Sequence, residues 1–198
     1  MSIDVVLASK SAARRAVLDG AGVCYEAIGS SVDEDAAKAE LLANGATPRQ
    51  VAEDLAERKA LAVSRGRPEL VIGADQTLDL DGRLYDKVET IAAARDRLRS
   101  LRGKPHALHS AVVVARRGET VWRETESATL TMRDFSDAFL DDYLAVEGEA
   151  ALGSVGCYRL EGRGVQLFSR IEGDYFTILG LPLTGLLDLL RREGVLRT

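Results

Sequence analysis

The sequence predicts an α/β fold in which a mixed central β-sheet is flanked by helices. Short apolar runs, such as Val5-Val6-Leu7-Ala8 and residues 70–74, alternate with stretches whose apolar residues recur at helical spacing, the pattern of strands covered by helices. Two longer β-rich stretches, residues 108–115 and 120–132, are joined by Arg116-Arg117-Gly118-Glu119, a hairpin turn that adds antiparallel pairing. The 198 residues, 46% of them hydrophobic, suffice for one sizeable core, and with no linker interrupting them a single domain over 1–198 is expected.

The first strand, through Val5-Val6-Leu7-Ala8, runs by way of the hydroxyl-rich turn Ser9-Lys10-Ser11 into a helix that opens on Ala12-Ala13-Arg14-Arg15 and stops at Gly20-Ala21-Gly22. A serine N-cap followed by solvated arginines is the ordinary account of such a helix start. The same arrangement suits an anion, because unpaired N–H groups and the positive dipole end meet hydroxyls and a guanidinium there. A second strand-like stretch, 28–32, leads through Glu34 to a helix at 36–42. Ala52, Leu55, Ala56, Lys59 and Val63 then form one apolar helical stripe. The buried run 70–74 is a strand, followed by a hairpin and a helix with apolar positions Ile91, Leu98 and Leu101. After the paired strands come a helix, a glycine-rich strand region, and a final helix that Thr184 caps and whose Leu186, Leu187, Leu189 and Leu190 close the core.

A formal net charge of −5 argues against a general surface for nucleic-acid polymers. A small anion held by a local cluster of cations remains compatible with it, and Arg14, Arg15, Lys59 and Lys87 can supply that cluster. Neither a Walker phosphate loop nor a dinucleotide fingerprint in its strand-to-helix setting is present. With no bilayer-length apolar run and no signal-peptide pattern at the N-terminus, a cytoplasmic location without a membrane partner is expected. Cys24 and Cys157 are too few for a disulfide scaffold and read as buried free thiols. His106 and His109 lack a partner at metal-ligand spacing and read as structural, and Arg95, Arg97, Arg99 and Arg102 read as the solvated face of a helix.

Three residues carry two readings each. Lys59 puts a charge where a core residue belongs, so it either snorkels to water or points along the stripe into a cleft and binds phosphate. Asp75 follows the apolar run 70–74, so its carboxylate is expected at the strand's carboxyl end, where open α/β sheets bind ligands. An Asx turn is the alternative, weakened because Gln76-Thr77-Leu78 continues the strand-like alternation. Glu34 is either a solvated acid before a helix or a ligand of a divalent cation shared with phosphates, since magnesium takes only one or two protein carboxylates.

Taken in chain order, these blocks resemble the Maf family of nucleoside triphosphate pyrophosphatases. Leu7-Ala8-Ser9-Lys10-Ser11 with Arg14-Arg15 is similar to the family's Leu-Ala-Ser-x-Ser-Pro-x-Arg-Arg. The resemblance continues through Val32-Asp33-Glu34, Ala56-Glu57-Arg58-Lys59-Ala60, Ile72-Gly73-Ala74-Asp75-Gln76, Asp81-Gly82 and Lys87. It ends with Gly156-Cys157-Tyr158-Arg159-Leu160-Glu161-Gly162, Ile171-Glu172-Gly173-Asp174-Tyr175 and Gly180-Leu181-Pro182-Leu183.

The resemblance implies a Maf/inosine-triphosphatase-like fold with an active-site cleft, a homodimer, and hydrolysis of a nucleoside triphosphate between its α and β phosphates. It implies that Asp75, Lys59 and Lys87 are catalytic, that Ser9, Arg14, Ala13, Gln76 and Glu161 bind substrate, and that Glu34 and Asp75 hold a divalent cation such as Mg2+ or Mn2+. Gln76 and Glu161 match the subgroup acting on 7-methyl-GTP, where the subgroup acting on dTTP and UTP usually carries Thr and Gln. Ala12 and Ala13 stand where a proline and a larger residue are usual, and Asp86 and Val88 flank Lys87 where Gly and Pro are usual, which bears on base preference more than on catalysis. The competing readings are a dTTP/UTP pyrophosphatase of the same family, a phosphatase releasing orthophosphate, and a non-catalytic nucleotide-binding regulator of cell division.

Overall fold

The computed structural model describes residues 4–197. Their order is β1 (Val5–Leu7), α1 (Ala12–Gly20), β2 (Glu26–Ala27), α2 (Glu34–Ala43), α3 (Pro48–Ser64), β3 (Leu70–Leu80), β4 (Arg83–Tyr85), α4 (Ile91–Leu101), β5 (Pro105–Arg116) and β6 (Glu119–Met132). Then follow α5 (Asp137–Glu147), two 3₁₀ turns at Gly148–Gly153 and Arg163–Leu167, β7 (Phe168–Glu172), α6 (Tyr175–Ile178) and α7 (Leu183–Arg192). The strands form one seven-stranded mixed sheet in the order β2-β1-β3-β5-β6-β7, with β4 added to β3. β1 runs parallel to β2 and β3, and the other pairs are antiparallel.

Local chemistry accounts for the frame. The β5–β6 hairpin turns through Arg117 and Gly118, both at positive φ (55° and 84°), the conformation whose twist matches paired strands. α3 starts at a Thr47 capping box with Pro48 in its first turn, and its small residues Ala52, Ala56 and Ala60 pack on Ala111, Val113 and Ala115 of β5. Where α3 crosses β3 it comes closer still. A Cβ on Gly73 would lie 2.2 Å from the carbonyl oxygen of Ala56 and 2.5 Å from the nitrogen of Ala60, so only glycine admits the helix backbone here. The opposite face of the sheet packs Leu7, Ile72, Val112 and Val114 against Leu18 of α1 and against Leu186, Leu189 and Leu190 of α7.

The sheet is incomplete along one edge of β3. β1 pairs with it only from Leu70 to Ile72, and β4 only from Leu78 to Leu80, both on the side away from β5. Residues 73–77 therefore have an open edge between β1 and β4. A gap of this kind, beyond the carboxyl end of a parallel strand, is where α/β sheets hold ligands.

Several sequence expectations need correction. Residues 28–32 are not a strand: β2 is only Glu26–Ala27, because β1 offers three residues to pair with and the last bond is from Ile28 N to Leu7 O. The glycine-rich region is mostly turns, with β7 its one strand among the described residues. Thr184 does not cap α7, whose N-cap position is Pro182, and Thr184 lies exposed inside the first turn. Cys24 is exposed, whereas Cys157 is buried as expected. The arginines of α4 are not a solvated face. Arg99 and Arg102 both bind Asp137 of α5, Arg95 pairs with Asp141, and Arg97 donates to the carbonyls of Asp86 and Val155 while lying 4.7 Å over the Tyr85 ring.

Candidate active site

The gap beside β3 opens into a cleft of about 1130 Å³, lined by Ser9, Ala13, Arg14, Glu34, Lys59, Asp75, Gln76, Lys87 and Glu161 among others. Every residue expected to be catalytic, to bind substrate or to hold a cation, and every member of the expected cation cluster but Arg15, thus lines one space. Arg15 does not, since its guanidinium turns back to the Lys10 carbonyl at the surface.

The start of α1 is built as an anion seat. Ser11 is its N-cap and accepts from Arg14 N at 3.4 Å, while Ser9 Oγ accepts from Ser11 N and from Arg14 Nη1, each at 3.2 Å. Arg14 is 9% exposed and donates through Nε to the Gly180 carbonyl at 2.9 Å, a contact that the positive φ of Gly180 permits. Burial lowers the proton affinity of this guanidinium, and the nearby charges of Asp75 and Glu34 oppose the shift. An arginine remains charged in any case, so the seat carries a fixed, oriented cation.

Lys59 and Asp75 are brought together by the close crossing of α3 on β3. Lys59 is 5% exposed and Asp75 7%, and Lys59 Nζ donates to Asp75 Oδ1 at 2.7 Å. The same ammonium lies 2.9 Å from Glu34 Oε2. Glu34 is the first residue of α2, after the N-cap Asp33, and its side chain remains 43% exposed toward the cleft. Lys59 therefore reaches the cleft rather than bulk water. Asp75 is not at the carboxyl end of β3, as expected, but in the middle of an eleven-residue strand. It still opens on the cleft because β1, not β3, ends at that level.

Strand alternation sends Asp75 toward α3 and its neighbour Gln76 toward α6. Gln76 Nε2 lies 2.9 Å from Ser110 Oγ and 3.0 Å from each of the carbonyls of Thr177 and Ile178, which orients the amide with its nitrogen inward. Lys87 follows β4 and is exposed at the rim of the cleft. Its proton affinity is lowered, first by partial removal from water and then by Arg14. The preceding residue, Asp86, is tied to α2 by a 2.6 Å bond from Lys38, a cation of the cleft without a signal in the sequence pattern.

Ala13 lies exposed in the first turn of α1 and leaves room at the cleft wall. Glu161 is not a free carboxylate, since its Oε1 accepts from Arg159 Nε at 3.1 Å. It does not cap the turn at Gly162-Arg163-Gly164 either: Glu147 does, accepting from Arg163 N at 3.2 Å. Arg159 also lines the cleft, exposed between Tyr158 and Leu160 in a segment with no helical or strand periodicity to mark it in the sequence. His106 and His109 stay outside the cleft lining. His106 is bonded to Tyr158 and His109 to Ser127 and Asp79.

Among the described residues no three His, Cys, Asp or Glu side chains cluster as a self-sufficient metal site. Two carboxylates converging on one cation suit instead an ion such as magnesium, which completes its shell with water and phosphate oxygens. Among the described residues no helix is long and apolar enough to cross a membrane.

Known proteins similar to this chain cover nearly all of its length. The family model described as Maf-like protein matches residues 4–193. A nucleoside triphosphate pyrophosphatase from Caulobacter vibrioides is 64% identical over 97% of this chain and 96% of its own length. A 7-methyl-GTP pyrophosphatase from Rhizobium meliloti is 51% identical over 97% of each chain. A solved dITP/XTP pyrophosphatase from Mycobacterium abscessus covers 96% of this chain and 93% of its own at 15% identity and a TM-score of 0.39, too distant to carry an argument. With the family model spanning nearly every residue that builds the sheet and its cleft, the chain belongs to the Maf family.

Proposed function

We propose that the protein hydrolyses the α–β anhydride of a nucleoside triphosphate, releasing a nucleoside monophosphate and pyrophosphate, with 7-methyl-GTP or another guanine nucleotide as its preferred substrate and removal of non-standard nucleotides as its role. The observation that carries this reading is the Lys59 ammonium between the Asp75 and Glu34 carboxylates, in the same cleft as the Arg14 anion seat.

In this mechanism Ser9, the N–H groups of the α1 turn and Arg14 hold the phosphate chain, and Lys87 neutralises it from the rim. Asp75 orients a water molecule and takes its proton as the oxygen attacks the α phosphorus. The bond from that phosphorus to the α–β bridging oxygen breaks, and pyrophosphate leaves with its charge compensated by Lys59 and Lys87. A divalent cation at Glu34 and Asp75 would add charge neutralisation and orientation of the phosphates. In this reading Gln76, Ala13 and Glu161, which line the same cleft, contact the base. Guanine offers N1–H and its amino group as adjacent donors, which a carboxylate accepts together, whereas uracil and thymine present carbonyls that a carboxylate repels.

The reading includes a cytoplasmic site of action and a homodimeric state. The deciding experiment is a nucleotide panel in which pyrophosphate and orthophosphate are measured separately. Pyrophosphate release, fastest with guanine nucleotides, is the expected result, and orthophosphate release or no turnover overturns it.

A further inference from the structure

The loop from Ser154 to Gly164 is one wall of the cleft, and its backbone is fixed. Ser154 Oγ accepts from Tyr158 N at 3.0 Å and donates to Tyr158 O at 2.7 Å. A Cβ on Gly164 would lie 2.4 Å from the Arg159 carbonyl oxygen and 2.7 Å from its nitrogen, so glycine lets the chain fold back on Arg159. Glu147, whose side chain is 8% exposed, anchors the loop through Arg163 N and places its other carboxylate oxygen 3.7 Å from Arg159 Nη1. Arg159 is thus held between two acids, a buried one behind it and Glu161 beside it.

We propose that Arg159 is a specificity-determining residue that, braced by Glu147, offsets the charge of Glu161 and so limits how far the site favours a cationic base over a neutral one. The proposal rests on the guanine-nucleotide reading above. A carboxylate has about four lone-pair sites, so the bond from Arg159 leaves enough acceptors for both guanine donors. Hydrogen-bond recognition of the guanine edge is therefore kept. The electrostatic pull is not: 7-methylguanine carries a positive charge that Glu161 attracts and Arg159 repels, and the two effects largely cancel. Since Arg159 and Glu161 are 43% and 34% exposed, solvent screens both, and the effect on selectivity is several-fold rather than thousands.

The test is kcat/KM for 7-methyl-GTP, GTP and UTP in the wild type, Arg159→Met and Arg159→Lys, at low and at high salt. The 7-methyl-GTP to GTP ratio is expected to be nearly insensitive to salt in the wild type. In Arg159→Met it is expected to rise about threefold to tenfold, more at low salt, and in Arg159→Lys to return toward the wild-type value. An equal loss on all three nucleotides with an unchanged ratio overturns the proposal, making Arg159 a phosphate contact or a loop brace. A wild-type ratio that collapses on adding salt overturns it without any variant. A wild type that prefers UTP to both guanine nucleotides instead overturns the guanine reading, before any variant is measured.

Discussion

Lys59 Nζ and Asp75 Oδ1 meet at 2.7 Å with both residues almost buried, a cation and the proposed base locked together in the cleft. Glu34 approaches the same ammonium at 2.9 Å, so Lys59 neutralises both of the carboxylates that would hold a divalent cation. A divalent cation would compete with this ammonium for the two carboxylates, and phosphate oxygens of a bound nucleotide would offer Lys59 an alternative partner.

From this follows the behaviour of Lys59→Met. Methionine fits the apolar stripe of α3, so circular dichroism should resemble the wild type, while the melting temperature should fall because the nearly buried Asp75 carboxylate loses its ammonium partner. Turnover and nucleotide affinity should both fall, and Mn2+ binding without nucleotide, followed by electron paramagnetic resonance, should strengthen about tenfold or more as two carboxylates lose their internal cation. Unchanged kinetics and unchanged Mn2+ binding would return Lys59 to a purely structural role.

Asp75→Asn keeps the shape of the side chain and its place opposite Lys59 while removing the base and one negative charge. Turnover should drop about a hundredfold or more, and binding of a non-hydrolysable nucleotide should hold or tighten because repulsion of the phosphates is relieved. Near-normal turnover in a folded variant is the result that sinks the assignment of Asp75 as the base.

The sequence made the site more legible than the frame around it. Lys59 was visible because a lysine interrupts an alanine and leucine stripe, and Arg14 because serines precede it at a helix start. The level of Asp75 in β3 was not visible, since its exposure depends on where β1 and β4 stop on a shared edge, and pairing of distant segments leaves no local mark. Similarly, the α4 arginines carry the pattern of a solvated face and only acquire Asp137 and Asp141 once α5 docks. Thr184 matched a cap by type, but the helix starts two residues earlier, at the N-cap Pro182.

His106 gives the fold a pH limit. It is 3% exposed, bonded through Nε2 to Tyr158, and its Nδ1 has no partner among the described residues, so burial lowers its pKa from 6.5 to about 4. Because the unfolded chain binds this proton more readily than the native one, the contribution is full above pH 6.5 and is lost as the pH falls from there to about 4. The loss amounts to about 3 kcal/mol when complete. Urea unfolding at a series of pH values should show it, and His106→Gln should flatten the profile between pH 6.5 and 5.5, where few carboxylates titrate. Identical profiles for the two proteins would remove His106 as the cause.

Gly73→Ala tests whether the site depends on how closely α3 lies on β3. The new methyl group would meet main-chain atoms of Ala56 and Ala60 rather than a flexible side chain, so the helix itself must move. Overpacking of this kind costs about 1–3 kcal/mol. Lys59 lies between those two contacts on the same turn of α3, and a shift of a few tenths of an ångström lengthens its bond to Asp75. Chemical unfolding should therefore show lower stability, and kcat of the variant that remains folded should fall further than that of an equally destabilised control such as Leu189→Ala, whose side chain packs on the other face of the sheet. Equal activity in the two variants would mean that the crossing of α3 sets stability alone and that Lys59 adapts to its displacement.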